Sequence, residues 1–192
     1  MAGVRPGGAG ALARRSWYRV EQFAHAVRAG LRPLDDSERD EVQAVLPETA
    51  WPLFWRMPLN DQRHSLGVLR TLRAAGHDEP ALMQAALLHD CAKGQAGVRL
   101  WHRVAVVLVK AFRPGLLGRW TGVQPSEDSW QYPLWAHVNH PAVGAGLAAA
   151  AGCDPLAIAL IRHHHDHPPV DAGGDSEENR LGVILHAADE VN

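Results

Sequence analysis

Apolar residues recur at helical spacing along most of the chain, which predicts an all-α fold of about eight or nine helices with little or no sheet. From Arg14 to Leu31 the residues Trp17, Val20, Phe23, Ala24 and Val27 fall toward one side, with Arg14, Arg15, Arg19, Arg28 and Arg32 largely elsewhere. Asp35 to Leu46 reads as a short acidic helix ended by Pro47, and Trp51 to Pro58 as a brief hydrophobic plug between two prolines. Asn60 is the expected cap of a long helix that runs to Ala75 and stops at Gly76. In it His64, Val68, Thr71, Leu72 and Ala75 share one face, so an imidazole lies among apolar neighbours. Pro80 opens the next helix, whose apolar run Ala81 to Leu88 leads into His89-Asp90-Cys91-Ala92-Lys93-Gly94.

The second half repeats the pattern. Gln95 to Arg113 is a predicted helix with Leu100, Trp101, Val104, Val107, Leu108 and Ala111 on its apolar side, and Gly115 to Ser129 is a loop by composition. Trp130 to Val138 returns to helix, Asn139-His140-Pro141 signals a new start, and the alanine-rich run to Ala151 ends at Gly152. Asp154-Pro155 gives the same start signal for Leu156 to His165, where Leu156, Ala157, Leu160 and Ile161 define an arc centred near His164. His163 and His165 flank that direction at about 100° on either side, so the periodicity selects His164 for the interior and does not choose between its neighbours. After a turn-rich loop, Pro168 to Asp175, Ser176 starts a last helix in which Leu181, Leu185 and Asp189 share a face.

Length, charge and cysteine content narrow the class. The chain has 192 residues, enough for one domain with a substantial core. A formal charge of -2 with 12 histidines argues against a bulk nucleic-acid binder. Cys91 and Cys153 are too few for a disulfide framework or a thiolate zinc site, so a reducing cytoplasm is the expected location. The apolar runs around Val104 to Val109 and Ala145 to Ala151 fall short of the roughly 20 residues of a spanning helix. The glycine-rich Met1 to Gly10 lacks the apolar segment of a signal peptide and reads as a disordered lead-in. Two basic features admit a lipid or polyanion as partner: the Arg14 to Arg32 arm and the stripe Arg99, Arg103, Lys110, Arg113, Arg119. We read the first as a packed arm and the second as an ordinary solvated face.

Chemistry concentrates where the apolar pattern delivers polar groups. An imidazole, a carboxylate and an ammonium at the end of a buried helix each cost several kcal/mol to desolvate without a partner. Two compensations fit His89, Asp90 and Lys93: a divalent metal ion with Lys93 left to meet an anion, or a buried salt bridge at a helix terminus closed by Lys93 and Gly94. His64, His89, Asp90, His140, His164 and Asp189 project from separate predicted helices toward one core, the way helical bundles build metal sites.

With these residues in order, positions 58–192 resemble the HD superfamily of metal-dependent phosphohydrolases, leaving 1–57 as a basic, tryptophan-containing arm with short helices. His89-Asp90-Cys91-Ala92-Lys93 is similar to the His-Asp-Ile-Gly-Lys form of its motif, and His140-Pro141-Ala142-Val143-Gly144 to a second signature of its two-metal members. Arg162-His163-His164-His165-Asp166 resembles the His-His-Glu segment of the HD-GYP phosphodiesterases, with Asp166 in place of Glu and His167-Pro168-Pro169-Val170 where Gly-Tyr-Pro should follow. Cyclic dinucleotides are therefore not the expected substrate, and no second Lys or Arg pattern marks the long-form nucleotide triphosphohydrolases.

The resemblance implies a first metal on His64, His89, Asp90 and Asp189, and a second on His140 and His164, with His165 as a further candidate and Asp90 as the bridge. Asp90 and Lys93 would be the catalytic pair, Lys93 as a point charge on phosphate. Mixed nitrogen and oxygen ligation suits iron, manganese, cobalt or zinc over calcium. The implied activity is hydrolysis of a phosphoester or phosphoanhydride in a small phosphorylated substrate, a nucleotide by expectation. Two alternatives stand beside it: a di-iron oxygenase like the inositol oxygenase members of the superfamily, and a non-catalytic binding domain.

Overall fold

Asp35 caps the first helix of the computed structural model, which describes residues 32–95, 106, 109, 112, 114–126, 128–165 and 176–192. The Arg14 to Leu31 helix, most of the Gln95 to Arg113 helix, the side chains of the basic stripe, and the stretch from Asp166 through the Pro168 to Asp175 loop lie outside the described residues.

Helix α1, Asp36–Gln43, opens with a reciprocal cap in which Asp35 Oδ1 accepts from the Glu38 amide and Glu38 Oε2 accepts from the Asp35 amide, both at 3.0 Å. It stops short of the expected Leu46, and a 3-10 turn over Glu48–Ala50 leads into α2, Trp51–Trp55, which buries Leu53 and Phe54. Helix α3, Leu59–Ala74, starts one residue before the predicted cap: the Pro58 carbonyl takes the Asp61 and Gln62 amides, while the Asn60 side chain turns to Asp61 instead. Its other end matches the sequence signal, because Gly76 at φ +88° lets the His77 amide return to the Leu72 carbonyl and the Gly76 amide to Arg73, both at 3.0 Å. Arg63, Arg70 and Arg73 on α3 pair with Glu38 and Glu41, tying α1 to α3.

Helix α4, Pro80–Leu88, is the centre of the molecule. Ala81, Leu82, Met83, Ala85, Ala86, Leu87 and Leu88 are all buried, so it is apolar nearly all round, as a helix enclosed by others must be. It packs against α2, α3, α8 (Pro155–His163) and α9 (Glu177–Glu190). A two-residue break at His89 and Asp90 separates it from the short α5, Cys91–Gln95.

Two expectations about the next segment are corrected. Pro114–Thr121, inside the stretch read largely as loop, forms helix α6: Pro114 is suited to a first helical turn, and Trp120 packs against the small apolar cluster of Val106 and Leu134. Glycine makes a helix unfavourable only by about 1 kcal/mol per residue, which such packing offsets. Pro141 does not start a helix either; it lies inside the continuous α7, Tyr132–Ala150. One interior proline costs roughly 3 kcal/mol. Burial of Trp135, Ala136, His140, Gly144, Ala145 and Ala148, on a helix packed against α5 and α8, holds the two halves in line.

The architecture is all-α, with no strand among the described residues. One apolar cluster runs from Leu34 through Phe54, Leu69, Leu87 and Leu160 to Ala188, so residues on both sides of Pro58 share a core. No described helix is long and apolar enough to cross a membrane.

Candidate metal centre

Each buried histidine of the centre stands where a helix is interrupted. His89 is the C-cap of α4, His164 the C-cap of α8, and His140 immediately precedes the proline of α7. Interruption leaves a backbone carbonyl short of its helical donor. In all three cases the ring turns Nδ1 onto the carbonyl three residues back: His89 to Ala86 at 3.0 Å, His140 to His137 at 2.6 Å, His164 to Ile161 at 2.7 Å. A carbonyl only accepts, so Nδ1 carries the proton and, in each neutral ring, the lone pair sits on Nε2.

Those Nε2 atoms converge. Nε2 of His140 lies 3.3 Å from that of His164, 3.1 Å from that of His165 and 3.2 Å from Asp90 Oδ1, which is itself 3.7 Å from His164 Nε2. On the other side of Asp90, His89 Nε2 stands 3.8 Å from its Oδ2 and 3.5 Å from Asp189 Oδ1, and His64 Nε2 bonds Asp189 Oδ1 at 2.8 Å. Two groups result, Asp90 with His140, His164 and His165, and Asp90 with His64 and His89, each with ligand atoms within 4.8 Å of one another. All seven residues expected as ligands thus come together, and the choice left open between His163 and His165 falls on His165. His163 instead holds Glu178 of α9 at 2.8 Å on the outside.

Electrostatics divide the cluster into charged and neutral groups. Burial pushes the Asp90 carboxyl up, but the positive charge of Lys93 and the adjacent His89 hold it well below the carboxylate range. Asp189 is likewise lowered against its burial by His64 and His89. Burial opposes a charge on His89, yet Asp90 and Asp189 raise it above its ordinary value. Burial wins at the far side, taking His140 down to about 4 and His165 to about 3, so both are neutral donors at neutral pH. Lys93 Nζ lies 2.6 Å from Asp90 Oδ1 and donates to Oδ2 at 2.7 Å. Even so, Asp90 Oδ1 and His89 Nε2 are buried without a well-directed hydrogen bond.

These residues fit divalent ions. Metal–ligand bonds of about 2.1 Å put two ligand atoms on one ion roughly 3.0 to 3.4 Å apart, the scale of the spacings above. Imidazoles that give their second ring N–H to a backbone carbonyl are the form in which histidine ligates metals. His89, Asp90, His140 and His164 are almost wholly enclosed, whereas His64, Asp189 and His165 are more open to solvent, so the cluster is reachable from outside.

Of the residues that shape the centre, Pro141 was misread from sequence, where it signals a helix start. Its position directly after a histidine was the available clue. Neither a protein-family model, nor a curated protein, nor a solved structure matches this chain.

Proposed function

We propose that the protein is a metal-dependent phosphohydrolase of the HD-domain type, holding one or two divalent ions of iron, manganese, cobalt or zinc. One observation carries the reading: two groups of ligand-competent side chains meet on the single carboxylate of Asp90. That arrangement agrees with the likeness of His89-Asp90-Cys91-Ala92-Lys93 to the superfamily motif. When bound, ions sharing a carboxylate would supply a water acidified toward neutrality and positive charge for phosphoryl oxygens.

The chain's own groups divide the remaining work. Asp90 would be the ligand common to both sides, with His64, His89 and Asp189 holding an ion on one and His140, His164 and His165 on the other. Lys93, whose ammonium pairs with Asp90, is the positive charge that would be free to meet a phosphate if divalent ions took that carboxylate. Burial of His89, Asp90, His140 and His164 keeps bulk water from screening these charges. A small phosphorylated substrate, a nucleotide by preference, is the proposed partner.

Metal analysis of protein purified without chelators, followed by a phosphatase and phosphodiesterase panel with added manganese, tests the reading. Bound metal and manganese-stimulated hydrolysis that is lost in Asp90→Ala are expected. Protein that takes up no divalent metal, or an Asp90→Ala variant that keeps both metal and activity, overturns it. The same ligands would suit a di-iron oxygenase; Lys93 beside Asp90 favours phosphate, and oxygen uptake by iron-loaded protein separates the two.

A further inference from the structure

Helix α7 carries a proline in its interior, and the atom it deprives lies in the candidate centre. In an uninterrupted helix the amide of residue 141 would bond the carbonyl of residue 137. Pro141 has no N–H, so the His137 carbonyl is left to other donors. The ring Nδ1–H of His140 takes it at 2.6 Å. That bond fixes which nitrogen of His140 keeps its lone pair, and the free nitrogen is the one 3.1 to 3.3 Å from His165, Asp90 and His164. The His137 and His140 rings lie nearly parallel, 15° apart with centroids 6.0 Å from each other.

We propose that Pro141 is a positioning residue for this centre: by withholding a backbone N–H it reserves the His137 carbonyl for His140 and aims the His140 Nε2 lone pair at Asp90, His164 and His165. The device parallels the helix ends at His89 and His164, where the carbonyls of Ala86 and Ile161 play the same part. In α7 the helix must continue for packing, so an interior proline supplies what a helix end supplies elsewhere. As far as metal affinity goes, the inference rests on the metal-centre reading; its tautomer component does not.

The test is Pro141→Ala, with Pro133→Ala in the first turn of the same helix as control. Alanine restores the competing amide and favours the helix, so folding is preserved and thermal stability is unchanged or raised. Two readouts are taken. Long-range 15N–1H correlation spectra of the metal-free protein report the His140 tautomer: Nδ1–H in wild type and Pro133→Ala, mixed or Nε2–H in Pro141→Ala. Zinc titration reports affinity, which falls about tenfold in Pro141→Ala, the lower end of what loss of a ligand-orienting partner costs. A positioning role therefore lowers affinity without lowering stability, which a merely structural proline does not. An unchanged His140 tautomer, or zinc affinity within twofold of wild type, overturns the proposal. Wild-type protein that binds no zinc would instead sink the metal-centre reading and with it the affinity half, and the tautomer spectra would still show whether Pro141 sets the ring.

Discussion

Asp90→Asn is the most demanding perturbation, because it keeps the shape of the side chain and removes the one charge both ligand groups use. In metal-free protein the first consequence falls on Lys93, whose ammonium sits within 2.6 to 2.7 Å of both carboxylate oxygens, with side-chain exposures of 12% for Lys93 and 9% for Asp90. Removing one partner of a buried ion pair costs about 3 to 5 kcal/mol. Lys93 is not fully enclosed and its long stem can turn outward, so the lower end, about 3 kcal/mol, is expected from urea unfolding in chelator. The sign with pH follows from the depressed pKa of Asp90: its stabilisation is fully present above the unfolded carboxyl value and is lost as pH falls through the folded one. Wild type and variant should therefore converge in strong acid.

The second consequence concerns metal. A divalent ion at 100 times its dissociation constant stabilises a folded protein by about 2.7 kcal/mol. For a domain of this size that raises Tm by roughly 5 to 10 °C. Wild-type protein should show this rise with zinc or manganese, and Asp90→Asn should show none, having lost the shared ligand of both groups. His165→Ala removes a ligand of one group and should leave a partial rise. Calorimetric scans with and without metal, alongside direct metal analysis, give the comparison. Should Asp90→Asn retain the full complement of metal, the idea of a shared carboxylate is wrong.

Other outcomes follow from the same coordinates. Glu38 is buried; burial raises its carboxyl, but the Asp35 amide and Arg63 and Arg70 more than offset this, so its folded pKa is depressed. Its contribution is then present above the unfolded value of about 4.3 and lost as pH falls through the folded one, and Glu38→Gln should cost about 1 to 2 kcal/mol at pH 7 and progressively less in acid in denaturant melts. A Cβ on Gly144 would meet Ile161 Cγ2 at 3.4 Å and Cys91 Sγ at 3.5 Å, so Gly144→Ala should be tolerated, whereas Gly144→Leu should cost about 1 to 3 kcal/mol and weaken metal uptake by displacing His140. Burial takes the Cys91 thiol up to about 12 and raises Cys153, so a thiol-specific reagent at pH 8 should label neither until the protein is unfolded, and rapid native labelling would contradict the packing of α5.

What could be read in the sequence, and what could not, follows the range of the forces. Polar residues on apolar faces were legible because helical periodicity is local: His64 on α3, His164 on α8 and Asp189 on α9 declare themselves through neighbours three and four residues away. The choice of His165 over His163 was not, since both stand at about 100° from His164. It is settled from outside the helix, by Glu178, 15 residues further on, which takes His163. Helix α6 and the continuity of α7 were hidden for a related reason. Gly115, Gly118 and Pro141 are local breakers, and tertiary packing outweighs them: Trp120 against Val106 and Leu134 in α6, and burial of Trp135, Ala145 and Ala148 in α7.

The centre also carries its own countercharges. Asp90 and Asp189 bring negative charge into a largely enclosed site, while the Lys93 ammonium sits beside Asp90 and both carboxylates bias His89 toward its charged form. A carboxylate already paired with a lysine would not need metal in order to be buried. The apolar cluster from Leu34 to Ala188 already joins every large helix around it. Divalent ions would then compete with protons for the ligand atoms and with the ammonium for Asp90, so metal affinity should rise with pH while the helical fold persists on chelation. That separates this centre from small structural zinc sites, in which the ligands have no alternative partners and loss of the metal is loss of the fold. Lys93 is the pivot of the difference, because the charge that stabilises the empty carboxylate is the same one that metal binding would free for a phosphate.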